Sequence, residues 1–163
     1  MIHALRSTIL AGLALGACLC ASACDEPATH TPRSGLWMYS EVETTSDSCD
    51  ALYTPQPIRE FVIDYDEGDE FQIELGAEDA ACEIDGTEFY CAEYELSRGP
   101  AEDIADAIIV SSVRWEGTLT SDSEGEGKEI YSIECFGEDC TVLADLDLVP
   151  CEREVEFTME FVM

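Results

Sequence analysis

Apolar and polar residues alternate with period two along most of the chain. In "GLWMYSEVET", Trp37 and Tyr39 stand against Met38 and Val42, and in "REFVIDY", Phe61, Ile63 and Tyr65 share one face. "EFQIELG" sets Phe71, Ile73 and Leu75 opposite Glu70, Gln72 and Glu74. "REVEFTMEFVM" alternates Val155, Phe157, Met159 and Phe161 with Glu154, Glu156, Thr158 and Glu160. Such a period places one side chain in two on each face of a strand, so these segments predict half-buried antiparallel strands with acids outside and hydrophobes inside. "AIIVSSVRWEGTLTS" predicts a longer strand in which Gly117 marks a bulge or bend. "EIYSIEC" supplies another strand, and "TVLADLD" is the one short helical candidate.

Turn chemistry separates these runs: "DEGD", "IDGT" and "SDSEGEG" are rich in the residues that accept tight backbone conformations. Strands at short spacing joined by hairpins predict an all-β fold, an antiparallel meander closing into a small barrel, with a β-sandwich as the alternative.

Six cysteines fall inside this β-region. In "CEIDGTEFYC" a turn at Asp85-Gly86 sets Cys82 opposite Phe89, whereas a turn at Gly86-Thr87 sets it opposite Cys91. Glycine in first place suits a type II′ turn. Counting outward then puts Cys82 and Cys91 on a non-hydrogen-bonded pair, where Cα atoms approach to about 4.5 Å, within reach of a disulfide. Cys135 and Cys140 flank four residues and can close a local loop. That leaves Cys49, after the first strand, for Cys151, before the last. First and last strands are neighbours in a closed barrel, so this bridge would pin the closure. Six cysteines allow 15 pairings, and these three are the favoured set.

The amino terminus reads as an address. Residues 1–24 have a basic start with Arg6, an apolar segment from Ile9 to Leu19 and then small residues, the order of an export signal. The apolar segment is shorter than the ~20 residues a spanning helix needs. "LGAC" before Cys18 resembles the lipobox of bacterial lipoproteins, and "ASAC" before Cys24 is a looser match at a more usual distance from the start. Of the nine cysteines, lipidation at Cys18 leaves eight and lipidation at Cys24 leaves six, whereas plain cleavage after Ala23 strands one. Residues 25–34, "DEPATHTPRS", have the composition of a flexible tether. The single β-domain then spans 35–163. The expected location is the cell envelope, on the periplasmic or cell-surface side, with the membrane contacted through the lipid.

Charge narrows the partners. All 37 acidic residues lie after residue 24, against six of the seven basic ones, a net charge of −31 for that part. Nucleic acid and anionic headgroups repel such a surface, so neither is expected as a direct partner. A solvated acidic face is the favoured account, and an acidic calcium-binding module the sharper one. "DYDEGDEFQIEL" offers Asp64, Asp66 and Asp69 as ligands, but Gly68 arrives one place early and Leu75 stands where a calcium loop needs a bidentate glutamate.

The β-region contains no histidine; His3 and His30 precede it. That removes Ser-His and Cys-His nucleophile pairs and histidine zinc sites. No phosphate-cradling glycine loop is present. With so many acids, close carboxylate pairs arise by number alone and do not point to glycoside hydrolysis. No catalytic residue, metal site or cofactor is expected.

Taken together, the tether, the Gly-x-Trp-x-Tyr first strand (Gly35, Trp37, Tyr39), the Cys82-to-Cys91 hairpin, the Cys135-x-Gly137-x-x-Cys140 loop and Pro150-Cys151 resemble small acidic, cysteine-rich lipoproteins of myxobacteria-type genomes. That resemblance covers most of the chain and implies an envelope location with no particular chemistry. Gly35-Leu36-Trp37 is also similar to the first-strand motif of lipocalins, with Arg153 on the last strand where those barrels set an arginine against the tryptophan. The chain departs from lipocalins in lacking a Thr-Asp-Arg motif on a later strand and in its many cysteines. This second resemblance implies a carrier of a small apolar ligand, with Trp37, Tyr39 and Arg153 facing it. The leading expectation is a membrane-tethered, non-catalytic β-domain with a binding or structural role.

Overall fold

The computed structural model describes residues 29–49, 58–75, 79–101 and 104–163. Cys18, Cys20 and Cys24, with the expected export signal, lie outside the described residues. Eight antiparallel strands run in chain order: β1 (Gly35–Asp47), β2 (Ile58–Asp64), β3 (Glu70–Glu74), β4 (Asp79–Asp85), β5 (Glu88–Pro100), β6 (Ile108–Ser121), β7 (Glu124–Phe136) and β8 (Cys151–Phe161). Each pairs with the next, and β8 returns to β1, closing the meander into a barrel. The expected all-β meander barrel is therefore the observed fold, and the sandwich alternative is not. Among the described residues one helix, α1 (Cys140–Ala144), lies between β7 and β8 and overlaps the expected "TVLADLD" segment over Thr141 to Ala144.

Alternation decides which side chains go inside. β8 is buried at Cys151, Arg153, Val155, Phe157 and Met159 and exposed at Glu152, Glu156, Thr158 and Glu160. Trp37, Tyr39, Ile63, Phe71, Ile73, Phe89, Trp115, Leu119, Phe157 and Met159 meet in one core cluster. Its rings pack at specific angles: Tyr39 stacks on Phe157 at 4.9 Å, and Trp37 meets Phe161 edge-on at 5.8 Å. A second, smaller cluster of Cys49, Ile133, Val149 and Cys151, with Leu143 of α1 against it, lies at the opposite end of the strands.

The β4–β5 hairpin takes the register that the Gly86-Thr87 turn requires. Cys82 faces Cys91, Glu83 faces Tyr90, Ile84 faces Phe89 and Asp85 faces Glu88. Gly86 has φ +68° while Thr87 does not have positive φ, which fits glycine in first place of a type II′ turn. The Cys82–Cys91 disulfide joins Cα atoms 3.8 Å apart and is wholly buried in the main core. Cys49–Cys151 and Cys135–Cys140 are also bonded, with Cα separations of 5.1 and 5.7 Å.

Two local expectations are corrected. Gly117 is not a bulge: it pairs in register with Phe89 on one side and Gly127 on the other, and the register shifts of β6 occur elsewhere. A Cβ at Gly117 would strike the Glu126 carbonyl oxygen and stand 2.8 Å from Phe89 Cζ, so this glycine serves close approach of strands and ring. Likewise, Glu124–Gly127 is not turn but the start of β7, the hairpin being confined to Asp122 and Ser123. Register shifts fall instead in β1, between Glu41 and Glu43 and between Thr44 and Ser46, in β5, between Cys91 and Tyr94 and between Glu95 and Ser97, and in β6 past Gly117, between Leu119 and Ser121.

One end of the barrel, the floor, is closed by the described part of the expected tether. His30 N–H donates to the Gly86 carbonyl (3.4 Å), and Arg33 N–H to the Asp122 carbonyl (3.2 Å). Ser34 Oγ donates to the Tyr65 carbonyl at 2.6 Å and accepts from the Tyr65 N–H at 2.9 Å. Pro32 is fully buried, and the Arg33 guanidinium lies 4.0 Å over the Phe161 ring. Three turns and the last strand thus hold this strap in place.

Candidate functional site

Above the aromatic core the barrel interior carries charge, which is costly unless every charge is paired. Glu129 of β7 faces inward and is 1% exposed. Its carboxylate accepts from Trp115 Nε1 at 2.8 Å and pairs with the guanidinium of Arg59 on β2. Arg59 in turn lies 3.9 Å over the ring of Tyr39, its partner residue on β1. Burial pushes the Tyr39 hydroxyl well above its ordinary pKa; the Glu129 charge adds to the rise, and Arg59 partly offsets it. That hydroxyl makes no hydrogen bond of good geometry.

A second charged group sits nearer the mouth, the end opposite the strap. Arg153 of β8, 3% exposed, reaches Glu41 and the Thr44 hydroxyl, each at 3.1 Å, and Asp47 at 3.4 Å. All three partners are on β1, so this arginine ties together the two strands that close the barrel.

The sequence-proposed ligand-facing residues therefore all point inward, but they do not form one site. Trp37 is fully buried near the floor, where its indole N–H donates to the Arg33 carbonyl at 2.8 Å. The residue facing it on β8 is Phe161, not Arg153. Arg153 serves Glu41 and Asp47, and the basic residue close to the Trp37–Phe161 pair is Arg33 of the strap. The lipocalin-like pairing of tryptophan with Arg153 is not formed.

The space left inside is small. A cavity of about 80 Å³ opens beside Arg59 and Phe61 and is lined mainly by rings and aliphatic groups, with Tyr39 and Trp115 among them. Ligand pockets are commonly ~300–1,000 Å³. The interior is filled by Tyr39, Phe71, Phe89, Trp115 and Phe157.

The larger concavity is outside. A hollow of about 780 Å³ crosses β4 to β8, with the paired Gly117 and Gly127 among its lining residues. Glu83, Asp85, Glu88, Glu116, Glu126 and Glu156 line it, with Lys128 as the one basic lining residue. That lysine is held by Glu154 at 2.8 Å, so the hollow is strongly negative. Hydrogen bonding to Lys128 holds Glu154 below the ordinary carboxylate range.

Sequence reasoning missed Arg59, Glu129 and the hollow. Arg59 and Glu129 are separated by 70 positions, and alternation alone does carry a signal for Glu129. In "GEGKEIYSI" the inward set runs Gly127, Glu129, Tyr131, Ile133, so an acid stands on the apolar face.

Asp64, Asp66 and Asp69 lie in and around the β2–β3 hairpin, where the Tyr65 hydroxyl donates to the Gly68 carbonyl at 3.2 Å. Among the described residues no group of three or more His, Cys, Asp or Glu side chains is placed to hold a metal ion. No described helix is long and apolar enough to cross a membrane. Comparison of the chain with family models, with curated proteins and with solved structures found no match.

Proposed function

We propose that the chain is a lipid-tethered, extracytoplasmic β-domain that works through its outer surface, as a non-catalytic binding or structural module of the cell envelope. The observation that carries this reading is a barrel fastened by three disulfides around an interior already filled by its own rings. Disulfides persist in oxidising compartments and are rare in the reducing cytosol, which agrees with the export signal and lipobox read from residues 1–24. A cavity of about 80 Å³ supports a self-filled scaffold over a carrier. The buried ionisable groups are engaged with one another, Glu129 with Arg59 and Trp115, and Arg153 with Glu41 and Asp47, as structural ion pairs are.

The test is fractionation of the full chain with single substitutions at the two candidate anchors. Cys18→Ser is expected to release the protein from membranes or leave it unprocessed, with Cys24→Ser as the alternative anchor. Membrane association that survives both changes would contradict the lipid tether.

A further inference from the structure

We infer that the strap sets how the domain stands on its membrane, floor inward and mouth outward. The inference rests on the lipid-tether reading just given. Whatever anchors the chain upstream, it enters the fold through residues 30–34, and these are bound to the floor. His30 is held at the β4–β5 turn, Arg33 at the β6–β7 turn and Ser34 at the β2–β3 turn. Thr31 N–H adds a bond to the Asp122 carboxylate at 3.3 Å, and buried Pro32 fixes the middle. The length of chain between anchor and strap is thereby bounded. From Cys24 it is five residues, 25–29, at most ~18 Å when extended; from Cys18 it is eleven, at most ~40 Å.

Charge keeps the barrel upright on so short a lead. The floor turns carry Asp66, Glu67, Asp69 and Asp122, and the outward faces of β2, β3, β4 and β8 carry an acid at most positions. An anionic bilayer repels both within a Debye length of ~8–10 Å at physiological salt. Lying on the face of β2 to β4 or of β8 would bring a row of acids into that zone, whereas standing brings only the floor. The part then presented outward is the mouth, with exposed Val142 of α1 and exposed Leu146 just after that helix.

Two exposed sites report this orientation, Gly68 in the β2–β3 turn at the floor and Asp145 just after α1 at the mouth. The full chain, lipidated in cells and reconstituted in phosphatidylethanolamine–phosphatidylglycerol vesicles, would carry an epitope inserted after one or the other. Access is read by antibody binding to intact vesicles, with detergent-solubilised protein as reference.

The expected result is an epitope at least twofold less accessible at the floor than at the mouth, relative to the detergent reference. Pro32→Gly with Asp122→Ala is expected to reduce this difference while lipid mass and disulfides stay intact. Equal epitope access in a chain whose lipid is confirmed by intact mass would overturn the orientation while leaving the tether standing. Orientation that persists in the strap variant would overturn the role of the strap. A chain without lipid mass would overturn tether and orientation together.

Discussion

Trp115 donates its indole N–H to Glu129 at 2.8 Å across the β6–β7 ladder, inside a barrel that exposes only 1% of that glutamate. The same carboxylate meets Arg59, which arrives from the far side of the meander. Indole, carboxylate and guanidinium thus satisfy one another where water is largely excluded. Removing one partner from a buried pair leaves an uncompensated charge, which typically costs ~3–5 kcal/mol, whereas removing both costs less.

Glu129→Ala is therefore expected to destabilise by about 3 kcal/mol, and Arg59→Ala by a comparable amount, in urea unfolding at pH 7. The double variant is expected to lose clearly less than the sum of the two. Additive losses would mean that the pair is not coupled.

Tyr39 gives the fold an alkaline limit. Its folded pKa is raised above the ordinary 10.0, chiefly by burial, so the folded state keeps a proton that the unfolded chain releases. The stability tied to this proton is whole below about pH 10 and is lost as pH rises above it. Tyr39→Phe is expected to flatten that alkaline loss. At pH 7 it should leave stability unchanged or raise it by up to about 1 kcal/mol, since it deletes a buried hydroxyl without a well-formed hydrogen bond. A loss of more than about 1 kcal/mol at pH 7 would show that the hydroxyl has a partner worth keeping.

Gly117 and Gly99 offer a matched comparison. A Cβ at Gly117 collides with backbone of β7 and with Phe89, whereas one at Gly99 meets nothing within 4 Å. Overpacking commonly costs ~1–3 kcal/mol, so Gly117→Ala is expected to lower the melting temperature and Gly99→Ala to leave it within a degree or two. Equal effects would remove the close-approach account of Gly117.

The acidic surface sets the response to salt. Outward acids at nearly every strand repel one another, and monovalent salt shortens the Debye length from ~30 Å at 0.01 M to ~3 Å at 1 M. The melting temperature is expected to rise with sodium chloride, with little added by calcium at matched ionic strength. A saturable calcium effect that survives high salt and disappears in Asp66→Asn would instead establish a calcium site at the β2–β3 hairpin.

What could be read in advance follows from what each feature depends on. Inward positions such as Phe71, Ile73, Val155 and Phe157 depend on strand period alone, and period is a local property of sequence. The Cys82–Cys91 bridge was legible because a two-residue turn fixes its register, and Cys49–Cys151 because closure makes β1 and β8 neighbours. Gly117 was misjudged because a bulge and a close approach use the same residue and differ only in what lies opposite. The Arg59–Glu129 pair depends on how far two non-adjacent strands lean across the interior, which no local pattern encodes. The docking of residues 30–34 was equally hidden, since a polar, proline-containing stretch has tether composition whether or not turns are placed to bind it.

The most direct test of the account is non-reducing peptide mapping with intact-mass analysis of the protein purified from membranes. The account predicts an N-terminal peptide beginning at Cys18 or Cys24 and carrying lipid mass, together with Cys49–Cys151, Cys82–Cys91 and Cys135–Cys140 as linked pairs. An unmodified amino terminus with these six cysteines recovered as free thiols would contradict it.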